Sequence, residues 1–125
     1  MSNQTYIKNM STSLTDLDKL RDKCVEKLST LETELYSAVK QEWFEKNATP
    51  AEQIDFRKKR IELSNQIEKL DTIRINKIAD KFEANQKALS DGIDELSATI
   101  SSLDSSIKIL NQIGKLIGTI SRILL

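Results

Sequence analysis

Residues 93–125 read IDELSATISSLDSSIKILNQIGKLIGTISRILL, and the spacing of apolar residues in this stretch decides the fold. Ile93, Leu96, Ile100, Leu103, Ile107, Leu110, Gly114, Ile117, Ser121 and Leu124 fall alternately three and four apart. This is a heptad seam, the pattern of a helix packed lengthwise on other helices. From Ile109 a second row opens on an adjoining face, through Ile113, Leu116, Ile120 and Ile123. One stripe is enough to dock a helix on its own bundle. The second row therefore asks for more cover, from another copy, another helical protein or a lipid surface.

The rest of the chain agrees with helix throughout. Its 125 residues suit one domain. Three Gly, one Pro and 5% aromatic residues are too few turn formers and large core residues for an ordinary α/β chain. The fold class expected is all-α.

Residues 1–12 are polar and without pattern, and are read as a flexible N-terminal arm. Ser13 then caps a helix with Asp16 in its first turn. Leu14, Leu17, Leu20, Cys24, Leu28, Leu31, Leu35 and Val39 give it one apolar face, so the first helix is expected over 13–46. Thr49, Pro50 and Glu52 form the clearest boundary, a capping box with proline at the first helical position. The second helix, expected over 50–89, carries Phe56, Leu63, Ile67, Leu70, Ile78, Phe82 and Leu89. Arg74 interrupts that stripe and is read as lying along apolar surface with its head in water. Ser90-Asp91-Gly92 is read as the third boundary, opening a helix over 92–125. The competing reading is one helix continuing through Gly92 at a cost of about 1 kcal/mol and pairing between chains. Ser97–Ser106 keeps the heptad residues and is read as the solvated face of a helix. Three segments of near-equal length predict an antiparallel three-helix bundle with coiled-coil-like packing. Trp43 is expected to close one end of it over the first turn.

Motifs for chemistry are lacking. There is no histidine and one cysteine, which removes the usual general base, the Ser-His and Cys-His pairs and most zinc sites. Cys24 sits in the apolar register and reads as a small buried hydrophobe. No glycine-rich phosphate loop is present, and the adjacent carboxylates are not face-mates. The chain is read as non-enzymatic, with no cofactor, metal or small-molecule substrate. Arg57-Lys58-Lys59-Arg60 is the one basic run. A helix spreads these four around its circumference, with Asp55 and Glu62 within reach of Lys59 and Lys58. That pattern, and a net charge of zero, argue against nucleic acid as a partner.

Zero net charge conceals a split. Up to Asp104 there are 16 Lys and Arg against 19 acids, and after it Lys108, Lys115 and Arg122 with no acid. These three recur every seven residues, opposite the apolar arc, beside Asn111, Gln112 and Thr119. The segment is too polar to span a bilayer. The function expected is interaction or assembly, as a homo-oligomer or with another helical protein. Ile109, Ile113, Leu116, Ile120 and Ile123 would face the partner, with Lys108, Lys115 and Arg122 as a cationic edge. The alternative is a membrane-active protein whose helix over 107–125 binds or enters lipid, as in helical pore-forming proteins. With no apolar h-region at the N-terminus, cytoplasmic residence is the default, with peripheral membrane association under the second account.

Overall fold

The computed structural model describes the backbone of residues 2–125 and the side chains of residues 14–125. It is all-helical, with five helices where three were expected: α1 (Ser2–Leu35), α2 (Ala38–Asn47), α3 (Pro50–Thr72), α4 (Ile75–Ser102) and α5 (Ser106–Leu124). α1 takes in residues 2–12, which were expected to form an arm, so Ser13 lies within the helix and does not cap it; the side chains of that stretch lie outside the described residues.

Four helices close a ring. α1 packs on α3 and α4, and α5 packs on the same two, so α1 and α5 face each other across the centre. Cross-helix contacts fix the directions. Arg21 on α1 reaches the end of α3 and Arg60 on α3 reaches the end of α1, so those two run antiparallel. Ser106 meets Glu52 and Gln66 meets Ser121, so α3 and α5 run parallel. Lys115 meets Glu95 and Arg122 meets Asn85, so α4 and α5 run antiparallel. Leu28, Leu63, Leu70, Phe82, Leu89, Leu96, Ile113 and Ile120 are fully buried in the shared core.

The boundary at Thr49 forms as its residues dictate. The Thr49 hydroxyl accepts from the Glu52 amide (3.2 Å), and the Glu52 carboxylate accepts from the Thr49 amide (2.8 Å). Phe44 of α2 stacks on Phe56 of α3 (centroids 3.8 Å apart), with Trp43 set edge-on against Phe44. That cluster closes the loop end.

Two unexpected breaks are each held by a buried arginine. Between α1 and α2, Ser37 caps the new helix by accepting from the Lys40 amide, and Arg60 Nη1 donates to the Leu35 carbonyl at 3.3 Å. Between α3 and α4, Arg21 Nη1 donates to the carbonyls of Leu70 (2.9 Å) and Ile73 (2.6 Å). The last carbonyls of a helix have no partner of their own, and a cation there also suits the helix dipole. The β-branched run Thr72, Ile73, Ile75 is weakly helical, which favours stopping at that point. Arg74 is thus the exposed residue before α4, not a member of a helix stripe.

No break occurs at Gly92, through which α4 runs continuously. A β-carbon on Gly92 would lie 3.4 Å from Leu116 Cδ1, so the glycine sits where α5 comes close. Since that contact is with the end of a flexible side chain, Gly92→Ala is expected to raise stability by about 0.5–1 kcal/mol. An unchanged or lowered urea midpoint would show that Leu116 cannot give way.

The third unexpected break lies inside the serine-rich stretch read as helix face. Leu103 ends α4 in the left-handed region (φ 50°, ψ 47°), the sole non-glycine residue with positive φ among those described. Ser105 then caps α5 by accepting from the Lys108 amide at 3.2 Å. A leucine held in that region costs about 1–2 kcal/mol.

Candidate functional site at the C-terminal helix

α5 carries every residue singled out for binding. Its apolar and charged residues separate cleanly by face. Ile109, Ile113, Leu116, Ile120 and Ile123, expected to face a partner, are instead enclosed by the chain's own helices, each no more than 1% exposed. Leu110, Ile117 and Thr119 are buried beside them. The physical reason is the additional helices. Three rods would leave the second apolar row of α5 uncovered, whereas the ring sets α3 on one flank, α4 on the other and α1 opposite. In the folded chain these residues are core, and a partner meets them only where α5 leaves its place.

The cationic edge faces outward as its spacing requires. Lys108, Lys115 and Arg122 are all exposed. Lys115 approaches Glu95 at 3.8 Å, and Arg122 donates to Thr119 Oγ1 at 3.1 Å and to Asn85 Oδ1 at 3.5 Å. These surface contacts contribute little to stability. Gly114 and Gly118 do not bring a neighbouring backbone close: the nearest groups are the Lys59 stem for the first and Arg122 of the same helix for the second. Gly114 thus makes room for the Lys59 stem, whose ammonium pairs with Asp55 at 2.9 Å.

Polar ties between α5 and its neighbours are few. Those described are side chain to side chain: Ser106 with Glu52 (3.3 Å), Gln66 with Ser121 (3.1 Å), Lys115 with Glu95 and Arg122 with Asn85. Apolar packing therefore holds α5 in place. Its covalent attachment is the short segment Leu103-Asp104-Ser105, and just beyond that segment Ile107 stands 61% exposed.

Buried titratable groups elsewhere have structural partners. Cys24 is buried among core residues, and burial pushes its thiol up, with Lys27 opposing weakly. Arg60 lies between the rings of Tyr36 (4.5 Å) and Phe56 (4.3 Å). Burial pulls its guanidinium below the ordinary range; Tyr36 opposes this and Arg57 adds to it. Its Nε is buried without a partner. Arg21 is as buried but better satisfied, with Asp18 at 2.7 Å and Asp22 at 3.1 Å besides the two carbonyls.

The sequence reading passed over Arg21 and took Arg60 as one of four basic residues spread around a helix, whereas Arg60 is buried; a signal for both was present. Leu17, Arg21, Cys24, Leu28, Leu31 and Leu35 keep the three-four spacing, as do Phe56, Arg60, Leu63, Ile67 and Leu70. An arginine in a seam position needs acceptors, and a helix end supplies them. Among the described residues no group of acidic or cysteine side chains is placed to hold a metal ion, and no helix is long and apolar enough to cross a membrane. Comparison with protein-family models, with curated proteins and with solved structures gives no match, so any functional reading rests on the geometry of this chain.

Proposed function

We propose that this chain is a non-enzymatic helical interaction and assembly module that acts through α5, with a second copy or another helical protein as partner. The observation that supports the reading is the heptad seam from Ile93 to Leu124 with Ile107 left 61% exposed on it; the five enclosed side chains of α5 meet a partner only if the helix leaves its groove. Such a helix requires a groove built of other helices, and any protein presenting an equivalent groove competes for it. Contact would follow the coiled-coil-like, lengthwise packing that the heptad seam encodes. Light scattering on the full chain is expected to give a mass above that of one chain at micromolar concentration. A single-chain mass at every concentration, with no helical partner captured, would remove the reading.

A second reading is supported by the charge pattern. Lys108, Lys115 and Arg122 follow the last acid, Asp104, so a released α5 would be a cationic amphipathic helix suited to anionic lipid. Under it, the chain co-sediments with anionic vesicles, and Lys115→Glu with Arg122→Glu abolishes this. Vesicle binding that survives the double charge reversal, or that never occurs, rejects it.

A further inference from the structure

We infer that the partner of α5 is a second copy of this chain, and that two copies pair by exchanging α5, each chain straightening at Leu103-Asp104-Ser105 and laying its helix in the other's groove. This rests on the assembly reading above and names its partner and route.

Three independent observations converge on it. The first is the seam. Ile93, Leu96, Ile100, Leu103, Ile107 and Leu110 keep their three-four spacing straight across the break between α4 and α5. A hairpin needs no such phase relation between its two arms, whereas a single continuous helix does. The segment from Ser102 to Ser106 also contains neither glycine nor proline, and Asp104 and Lys108 stand four apart, the spacing of an intrahelical ion pair.

The second is the backbone at the turn. Leu103 occupies the left-handed region in the closed chain, a conformation that glycine adopts freely and leucine does not. Straightening returns Leu103 to the right-handed helical region in both chains of a pair. The closed hairpin carries the strain and the exchanged form releases it.

The third is what each form covers. Exchange re-forms every contact of α5 in the partner's groove, so Ile109, Ile113, Leu116, Ile120 and Ile123 remain enclosed. It then adds something the closed chain lacks. Ile107, 61% exposed, and Leu103, partly buried, lie on one face of the straightened segment. Where the two segments cross, that face meets its twin. A short connection that cannot relax while closed is the usual setting for such a swap.

The test combines mass with connectivity in the full chain. Glu95→Cys with Lys115→Cys, in a Cys24→Ser background, places two thiols at the α4–α5 contact on the surface. A short bis-maleimide reagent then links them within one chain if closed and between chains if exchanged. Expected are a dimer by light scattering and covalent dimers on a denaturing gel. Leu103→Gly should weaken dimerisation about 30-fold or more, because the strain is removed from both closed chains. Asp104→Ala with Ser105→Ala, which removes the Ser105 cap and keeps the phase of the seam, should make the dimer predominant. A dimer whose cross-links all fall within single chains overturns exchange while leaving self-assembly intact. A single-chain mass that persists in the double-alanine variant, with a cooperative melt, also overturns exchange. Capture of a different helical protein through α5 would then show that the broader reading survives.

Discussion

Removal of residues 108–125 is expected to abolish cooperative unfolding. The cut takes away Ile109, Leu110, Ile113, Leu116, Ile117, Thr119, Ile120 and Ile123, all buried. Fully burying one such apolar side chain is worth about 1.5–3 kcal/mol, so seven contribute about 10–20 kcal/mol, as much as or more than the roughly 5–15 kcal/mol by which a domain is stable. The same cut uncovers Leu89, Leu96 and Leu63 on the remaining helices, which are fully buried in the intact chain. The shortened chain should keep helical circular dichroism in part, bind hydrophobic dye and melt without a sharp transition. A shortened chain that still melts cooperatively as a single copy would show that α1, α3 and α4 close on themselves. The central packing role assigned to α5 would then be wrong.

The second large effect separates the two buried arginines. Arg21→Met leaves the carbonyls of Leu70 and Ile73 without their donor and Asp18 and Asp22 without their counter-charge. Losing a charged donor to a buried acceptor costs about 1–3 kcal/mol; the Leu70 carbonyl bond is buried and the Ile73 bond only partly so, and a total of about 2–4 kcal/mol is expected. Arg60→Met should behave differently. Arg60 makes one long bond to the Leu35 carbonyl, and its Nε is buried unpaired, so a desolvated charge is poorly compensated. A thioether between the rings of Tyr36 and Phe56 keeps the packing and adds sulfur–aromatic contact. The net change should stay under about 1 kcal/mol. Urea midpoints at equal slope compare the two directly. Equal losses would mean that the stacking of Arg60 between two rings matters as much as the four bonds of Arg21.

Helix content was legible because it rests on periodicity, which the chain displays almost everywhere. The Thr49-Pro50-Glu52 boundary was legible because local chemistry fixes it regardless of what packs nearby. The other three breaks depend on distant residues. Nothing between Leu35 and Ser37, or between Thr72 and Ile75, forbids a helix. The ends are held by Arg60 and Arg21, which arrive from another element to bind the freed carbonyls, while the Ser37 cap and the β-branched Thr72, Ile73 and Ile75 are weak local signals. The break at Leu103 runs against local preference outright, and no local rule would place a leucine there with positive φ. Gly92 misled in the opposite direction: the helix runs through it, next to Leu116, and no turn forms.

The candidate site was legible in chemistry but not in placement. The five isoleucine and leucine residues and the three cations of α5 fall on separate faces, as a helical wheel determines; Thr119, read beside the cations, is instead buried. Whether the apolar face lay inside or outside depended on how many helices surround it, and that number followed from the breaks that were missed.

The order of the helices around the ring has a consequence for biosynthesis. α5 touches α3 and α4, both made before it, so a nascent chain exposes a loosely packed, unfilled trough until α5 joins it. During that interval the trough is open to any amphipathic helix nearby, including one from a chain growing on the same message. The delay before α5 reaches the trough would then bias how often a molecule fills its own trough and how often it fills a neighbour's.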